Sequence, residues 1–123
     1  TLGNSLQVSV CAKASLFSSW AYKSYFTSAP GTSDYVSAVG GSNDEMHIVV
    51  IDQDGLFSGT AGTVLETFAF VSAASDATVN GASNYYKQVI FNNSKYVYVS
   101  SVNLFFIVGS DLYRFSKYLN DPS

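Results

Sequence analysis

Residues 45–52 read EMHIVVID, in which five of the eight side chains are apolar and four of those five are β-branched. A continuous apolar run of this length is typical of a central strand that is covered on both faces. The residues that follow, Asp52-Gln53-Asp54-Gly55, predict a turn, because Asp and Gly favour turn conformations. Residues 64–72, VLETFAFVS, again have a strand pattern. The short Gly-rich connection between the two runs predicts that they form an antiparallel pair.

Two further segments show the period-two alternation of a half-buried strand. In residues 4–11, NSLQVSVC, aliphatic side chains occupy alternate positions. Residues 95–102, KYVYVSSV, begin with the same alternation, so the two tyrosines face away from Val97 and Val99. We therefore expect one sheet that contains all four strand segments: 4–11, 45–52, 64–72 and 95–102.

Alternation within the strand at 64–72 also predicts which of its side chains share a face. Counting every second residue places Val64, Phe68 and Phe70 together, with Glu66 among them.

Two segments carry apolar residues at helical spacing. In residues 15–25 they fall at one-, three- and four-residue offsets, and Ser15 is a suitable N-cap. Residues 84–92 follow Ser83, which we expect to open a second helix, and Asn92-Asn93 would cap its end. The face of this helix that should pack against the sheet consists of Tyr86, Val89 and Ile90.

The remaining segments are less regular. Residues 32–43 are rich in Ser and Gly and predict a loop, in which Tyr35 and Val36 form a brief extended contact. Residues 103–123 predict a strand followed by a weak helix. The pattern as a whole predicts an α+β fold in a single domain over 1–123. Its mostly antiparallel sheet should have about four to five strands, accompanied by two or three short helices.

Composition narrows the classes of protein to which the chain can belong. Of its 123 residues, 47% are apolar, 15% are aromatic and only 12% are charged, with a net charge of −3. Such a chain has enough apolar surface to fold, so it is not disordered. Low charge with many Tyr is expected where a surface contacts another protein. It is equally expected in the aromatic core of a small β-containing domain, and composition does not separate these two interpretations.

The sequence disfavours nucleic-acid binding, membrane insertion and an internal disulfide. Six basic residues spread along the chain do not form the cluster that phosphate binding needs, so we expect no nucleic-acid partner. The apolar run Leu104–Val108 is far shorter than the roughly 20 residues that span a bilayer, so we expect no membrane insertion. A single cysteine, Cys11, cannot form an internal disulfide.

The candidates for chemistry do not form a known motif. Cys11 and His47 are the only residues of their types and could pair as nucleophile and base. A hydrogen-bonded structural His and a small buried Cys are the ordinary interpretations of both. The carboxylates considered for acid–base work fall mostly in turns, where Asp is expected for backbone reasons. They are Asp44, Glu45, Asp52, Asp54, Glu66, Asp76 and Asp111.

Two loop motifs resemble the Gly-rich connection in part. The pair Asp52 and Asp54 resembles the start of an EF-hand loop, but Gly55 comes two residues early and no acid follows until Glu66. The glycines could cradle a phosphate, but this connection has no Lys and leads into a strand. We therefore predict no catalytic, cofactor-binding or metal-binding residues, no required cofactor, and a protein that is not an enzyme.

A longer pattern carries a resemblance to a known family. It consists of DEMHIVVIDQDGLFSGTAGTVLETFAFVS at 44–72, GASNYYKQVIFNNSKYVYV at 81–99 and GNSLQVSV at 3–10. Together these segments closely resemble the tail sheath protein of T4-like contractile-tailed bacteriophages. The resemblance covers about residues 3–100 and leaves 103–123 unassigned. The chain resembles one interior domain, or a fragment, of such a protein, and its start at Thr1 without Met fits that interpretation.

The resemblance implies a structural role in the virion. Sheath subunits of this family polymerise around the tail tube, and the sleeve contracts to deliver the genome. The implied location is the virion tail, with the host cytoplasm during assembly. The implied partners are other sheath subunits and the tail tube. No catalytic residues come with the family. The matching residues are implied to be architectural: a turn at Asp52, Asp54 and Gly55, a strand start at Val64 and Leu65, and a helix anchored by Tyr85, Tyr86, Val89 and Ile90.

Two alternatives, one of them within the sheath class, stay open at this point. The chain could be a free-standing β-rich module for protein binding or adhesion through its tyrosines. It could also be a sheath-like subunit of a related contractile injection system. In this family the strands that link neighbours come from terminal regions outside the matched segments. The isolated chain is therefore expected to be monomeric or weakly associated.

Overall fold

The structure, a computed structural model, describes residues 6–101 and 105–107. Its centre is strand β2 (Glu45–Asp52), which lies between β1 (Gln7–Cys11) and β3 (Thr63–Ser72). Both pairings are antiparallel. The last six residues of β2 are buried, as expected for an apolar run with protein on both faces. The prediction of a central strand at 45–52, paired with the strand that follows it, is confirmed.

The two faces of this sheet pack against different kinds of side chain. One face carries a mainly aliphatic cluster, and its most buried members are Leu6, Val8, Val10, Ile48, Val50, Phe68, Val71, Ile90 and Val97. The other face is aromatic and includes Trp20, with Phe17, Tyr22 and Phe26 packed around it. At roughly 1.5–3 kcal/mol for each large side chain fully buried, the two clusters are the main source of stability.

Two extra residues in β3 interrupt its pairing with β2. Register shifts occur opposite Met46–Ile48 and opposite Val50–Ile51, and in both places β3 advances one residue more than β2. Each inserted residue reverses the alternation. Phe68 therefore joins the aliphatic cluster, whereas Val64 packs on the aromatic face. The prediction that Val64, Phe68, Phe70 and Glu66 share one face is wrong for this reason.

The segment after β1 is helical, but not in the predicted form. It contains two 3-10 helices, Ala14–Ser19 and Lys23–Tyr25, in place of one helix over 15–25. Lys13, rather than Ser15, occupies the N-cap position. The run of Ser and aromatic residues has weak α-propensity, and packing on the sheet fixes its shape.

Residues 32–43 contain a short helix that the sequence analysis missed. Helix α1 (Asp34–Ala38) begins after Ser33, whose hydroxyl accepts a hydrogen bond from the Val36 N–H at 3.3 Å. Val36 is buried, so the predicted extended contact of Tyr35 and Val36 is wrong. A Ser N-cap followed by Asp is a recognisable helix start, and it was masked by the polar, Gly-rich surroundings.

Helix α2 (Tyr86–Asn93) lies close to the predicted span of 84–92. Ile90 is fully buried, and Tyr86 and Val89 pack against the aliphatic cluster, so the predicted packing face is confirmed. The caps differ by one or two positions, since Tyr85 precedes the helix and Ser94 ends it. Ser83 and Asn92-Asn93 are therefore not its capping residues.

The fourth predicted strand belongs to a separate small sheet. Strands β6 (Val97–Val99) and β7 (Phe105–Ile107) pair antiparallel with each other, as do β4 (Thr78–Val79) and β5 (Ala82–Ser83). The prediction that 95–102 joins the main sheet is wrong, although Val97 is buried in the aliphatic cluster and Tyr98 is exposed.

Alternation identifies a strand but does not identify its partner. The fold class is nevertheless α+β with antiparallel sheets and short helices, as predicted. The strand predicted at the start of 103–123 is present as β7. The weak helix predicted after it lies outside the described residues.

Candidate functional site

His47 is the most constrained polar side chain of the aromatic face. It is fully buried, and both of its ring nitrogens have partners. Nδ1 accepts a hydrogen bond from the Phe70 N–H at 3.0 Å, and Nε2 lies 2.8 Å from the Ser28 carbonyl oxygen. An imidazole nitrogen that accepts carries no proton, so Nε2 must donate. These contacts fix His47 as the neutral Nε2–H tautomer.

Aromatic rings enclose this imidazole. The Phe26 ring is stacked on it, with centroids 4.2 Å apart and planes 4° from parallel. Phe70 meets it edge-on at 4.5 Å, and Phe17 does so at 5.7 Å. Trp20 stacks against Phe26 on the same side of the sheet and donates its indole N–H to the Ser9 hydroxyl at 2.9 Å. We call Phe17, Trp20, Phe26, His47 and Phe70 the histidine cage.

The cage lowers the pKa of His47 below its ordinary value of 6.5, and burial away from water is the main cause. The hydrogen bond to the Ser28 carbonyl and the charge of Glu45 act in the opposite direction and are outweighed. A protonated ring could not accept from Phe70. The site therefore holds a neutral histidine at physiological pH.

His47 and Cys11 are brought together by the sheet, because they are paired residues of β1 and β2. Both are fully buried. A base that activates a thiol needs an unoccupied nitrogen lone pair, and the lone pair of His47 Nδ1 is used by Phe70. This arrangement gives His47 the structural part that the sequence analysis preferred.

The backbone at Phe70 explains why a histidine is needed there. Phe70 has a φ of 55°, which is uncommon for a bulky residue, and it lies in the bulge opposite His47. A bulge leaves backbone groups without ladder partners. Here the N–H donates to His47, and the carbonyl accepts from the Asn84 side-chain amide at 2.9 Å. Two side chains therefore take the place of the missing backbone partners.

Asp52 ends β2 and organises the loop at the opposite end of the sheet. It is fully buried, and its Oδ2 accepts from the Phe57 N–H at 3.1 Å, the Ser58 N–H at 2.7 Å and the Ser58 hydroxyl at 2.7 Å. Its carbonyl also accepts from the N–H of Gly55 and of Gly62. The predicted turn is therefore present, and Asp52 is the residue that closes it.

Gly55 makes close packing of this loop possible. Its φ is +77°, and a Cβ at that position would lie 2.9 Å from the Ala61 nitrogen. Only glycine combines that backbone conformation with so close an approach. The loop is thus folded on itself and is not an extended connection.

Burial alone would raise the pKa of Asp52, but the hydrogen bonds from Ser58, Phe57 and Gly55 outweigh it and hold the pKa below its ordinary value. The carboxylate is therefore charged. Its Oδ1 is buried and accepts no hydrogen bond from the described residues. A buried charge with one bare oxygen is destabilising by itself, so the three bonds to Oδ2 must offset that cost.

Most of the other carboxylates with resolved contacts also tie backbone segments together. Asp44 accepts from the Ser33 N–H and hydroxyl and from the Ser72 hydroxyl, and these bonds outweigh burial and lower its pKa. Glu45 accepts from the Gly31 N–H at 3.0 Å.

Glu66 connects β3 to the chain that leaves α2. Its Oε1 accepts from the Ser94 hydroxyl and its Oε2 from the Lys95 N–H at 2.8 Å. Asp54 and Asp76 are exposed on the surface, and Asp111 lies outside the described residues. The candidate acids within the described residues are therefore spread over strands and loops and are not gathered at one place.

Two open clefts lie at the end of the sheet where β2 begins. One has a volume of about 420 Å³ and is lined by Ala12, Lys13, Ala14, Ser15, Pro30, Gly31, Asn43 and Glu45. We call it the Pro30 cleft. The other, of about 300 Å³, is lined by Thr32, Ser33, Asp34, Glu45, Phe70, Thr78, Val79, Asn80 and Asn84. Glu45 borders both.

Large apolar side chains are exposed at several separate places on the described surface. In the β2–β3 loop, Leu56 is 67% exposed and Phe57 is 47% exposed. Phe57 also meets the Tyr96 ring edge-on at 5.6 Å. The others are Tyr25, Val39, Val79, Phe91 and Tyr98. Single exposed apolar side chains are ordinary on folded proteins, whereas adjacent ones, as at Leu56 and Phe57, are typical of sites that contact other molecules.

Within the described ranges, no three His, Cys, Asp or Glu side chains are grouped as metal ligands would be. Among the same residues, the structure contains no helix with the length and hydropathy required to traverse a bilayer.

Comparisons with protein-family models, with curated proteins and with solved structures found no match for this chain.

The sequence singles out His47 and Asp52 but not Phe70 and Asn84. The roles of Phe70 and Asn84 depend on the bulge in β3. No local signal marks them. The apolar pair Leu56 and Phe57 had a signal, since two large apolar residues stand inside a turn-forming, Gly-rich segment where polar residues are usual.

Proposed function

We propose that this chain is a structural domain of a contractile tail sheath subunit, which packs against other copies in a sleeve around a tail tube. It would not be an enzyme, and its location would be the virion tail. The proposal starts from the resemblance of residues 3–100 to sheath proteins of T4-like phages. It depends further on how the described residues use their polar and apolar side chains.

The observation that carries the proposal is the distribution of exposed apolar side chains. They stand on different elements: Tyr25 in the second 3-10 helix, Leu56 and Phe57 in the β2–β3 loop, Val79 in β4, Phe91 on α2 and Tyr98 in β6. A subunit inside a lattice contacts several neighbours at once and needs several separate contact areas. A module with one ligand would concentrate such residues in one patch.

The use of polar side chains also supports a structural role. The hydrogen bonds that His47, Asp44, Asp52 and Glu66 make go to the chain's own backbone or hydroxyls. Such bonds join segments far apart in sequence, as between Asp44 and Ser72 or between Glu66 and Lys95. Ties of this kind stiffen a domain that must keep its shape while its neighbours move.

Immunogold electron microscopy tests the proposal directly. Antibodies raised against residues 1–123 would be applied to contractile particles recovered from the source organism after induction. We expect gold along the length of the sheath in both extended and contracted particles. Pre-immune serum is the control. Labelling restricted to fibres or capsids, or to cells without particles, would exclude the sheath assignment.

A solution measurement addresses the isolated chain. Because the linking strands of this family lie outside the matched segments, we expect light scattering to report a monomer or weak association across a concentration series. Regular tubes in negative-stain images would show that the linking contacts reside in these residues. A stable closed dimer with a large apolar interface would instead favour a free-standing binding module.

A further inference from the structure

The β2–β3 loop exposes Leu56 and Phe57, and hydrogen bonds within the loop hold its conformation. The Phe57 N–H, the Ser58 N–H and the Ser58 hydroxyl all donate to Asp52 Oδ2. The Gly59 N–H donates to the Gly55 carbonyl at 2.9 Å. Contact with Tyr96 further restricts the Phe57 ring. We call Leu56 and Phe57 the apolar tip. Apolar residues that are already ordered lose little entropy on binding, so they are efficient contact residues.

The Pro30 cleft lies at the other end of the same strand. Glu45 begins β2 and borders the cleft, whereas Asp52 ends β2 and holds the tip. At about 3.4 Å per residue, the eight-residue strand separates the two by roughly 24 Å. One molecule therefore carries a protrusion and a hollow at opposite ends, which no single molecule can bring together.

Shape and charge match the tip to the cleft. Ala12, Ala14, Pro30 and Gly31 form the apolar part of the hollow, and its volume of about 420 Å³ is in the range of clefts that accept ligand groups. Ser15, Asn43 and Glu45 form its polar part, where Glu45 accepts from the Gly31 N–H. Lys13 is exposed at its border, and the exposed Asp54 precedes the tip by two residues. Opposite charges beside an apolar contact favour one orientation over others.

We propose that the apolar tip of one copy of this chain docks in the Pro30 cleft of a second copy, with Asp54 of the first beside Lys13 of the second. Because the two surfaces differ, the contact is head-to-tail and leaves a tip and a cleft unused at the two ends of each pair. Such a contact can be repeated from copy to copy, which gives a ring where the rotation closes and an open array where it does not. This inference rests on the proposed function, since it names the partner surface that a sheath subunit would use.

Disulfide trapping between two differently substituted chains tests the contact. Leu56→Cys and Ser15→Cys alter exposed positions, so both variants should fold, which circular dichroism checks. Mixed under mild oxidation at high protein concentration, they should form a cross-linked heterodimer. The yield should exceed by about ten-fold that of Leu56→Cys mixed with Asn92→Cys, whose site is exposed on α2. Wild-type chain, which retains the buried Cys11, gives the background.

Charge reversal supplies a second readout. Asp54→Lys in the tip-bearing chain, or Lys13→Glu in the cleft-bearing chain, should lower the heterodimer yield by about five-fold, the upper range of one exposed ion pair. Combining Asp54→Lys in the first chain with Lys13→Glu in the second should restore it.

Each result decides the proposal. Heterodimer formation with rescue by the double charge reversal supports it. Equal cross-linking of Leu56→Cys with itself would indicate a tip-to-tip contact and overturn it, as would a yield no higher than the Asn92→Cys control. If immunogold labels the sheath but the cross-link does not form, the contact is excluded and the proposed function stands. If the cross-link forms but immunogold does not label the sheath, the contact stands and the proposed function is excluded.

Discussion

At both ends of β2 a buried polar side chain binds backbone N–H groups of an irregular segment, but one side chain is neutral and the other is charged. Near the first end, the neutral His47 provides a partner for the backbone of a bulge, inside a cage of aromatic rings. At the last residue, the charged Asp52 provides partners for the backbone of a loop that faces water. Burial disfavours the charged form of both side chains. Donors to Oδ2 keep Asp52 ionised, whereas the donor to Nδ1 needs an unprotonated nitrogen and keeps His47 neutral.

The comparison predicts that the His47 end contributes more to stability. His47→Ala removes a stacked ring and leaves the Phe70 N–H without an acceptor, so we expect a loss of about 3–4 kcal/mol in the free energy of unfolding. Urea denaturation at pH 7.5 measures it. His47→Phe is the matched control, because it keeps the ring and removes only the nitrogens, and it should cost about half as much. A loss below about 1 kcal/mol for His47→Ala would mean that the cage is not a stabilising unit.

Asp52→Ala should have a smaller effect, of about 2 kcal/mol, because water can reach the Phe57 and Ser58 N–H groups once the loop opens. Removing the buried Oδ1 also recovers part of the cost. Urea denaturation gives the total, and faster hydrogen exchange at Ser58 would locate the change in the loop. Asp54→Ala, an exposed neighbour in the same turn, should stay within about 0.5 kcal/mol of wild type. Equal losses from the two variants would contradict the assigned role of Asp52.

On acidification, the contributions of His47 and Asp52 to stability should be lost in separate pH ranges. The pKa of His47 is lowered on folding from 6.5, so below that pH the unfolded chain binds more protons than the folded one. Its contribution is therefore complete above pH 6.5 and is lost as the pH falls through the folded-state value. The pKa of Asp52 is also lowered, from 3.8, so its contribution is lost only in stronger acid.

Chemical denaturation at a series of pH values tests this separation. His47 is the only histidine of the chain, so the fall in stability just below pH 6.5 should disappear in His47→Phe. The same fall should persist in Asp52→Asn. A decline of equal size in wild type and His47→Phe would assign the acid sensitivity to other groups.

The smallest expected effect concerns the second partner of the bulge. Asn84→Ala removes the amide that donates to the Phe70 carbonyl, and we expect a loss of about 1 kcal/mol. Asn92→Ala, at an exposed position on α2, is the control and should be nearly neutral. If Asn84→Ala were also neutral, the bulge would be held by His47 alone.

The sequence predicted β2 to the residue and β3 within one residue, because a long apolar run and a strong turn leave few alternatives. It did not predict the bulges in β3, since inserting one residue changes facing without changing composition. The assignment of 95–102 to the main sheet failed for a related reason. β6 pairs with Phe105–Ile107, and a strand's partner depends on where the preceding helix ends, which alternation does not encode.

For the site, the roles of His47 and Asp52 were predictable from the sequence in outline only. A lone histidine inside an apolar strand predicts a hydrogen-bonded structural residue, and its burial and contacts agree. Its partners Ser28 and Phe70 lie 19 and 23 residues away, and no spacing rule connects them. The partners of Asp52 are easier to predict, because Phe57 and Ser58 are close in sequence. They belong to the turn that Asp-x-Asp-Gly predicts.

The antiparallel ladders on both sides of β2 determine how the domain would respond to mechanical tension. A pull applied between the Pro30 cleft and the apolar tip acts along the strands, so the hydrogen bonds to β1 and β3 resist it together, in shear. A sideways pull on β6 meets different resistance: the Glu66 bonds to Ser94 and Lys95, and the packing of Val97, are loaded one after another. We therefore expect the domain to resist tension along β2 better than tension at the junction of α2 and β6.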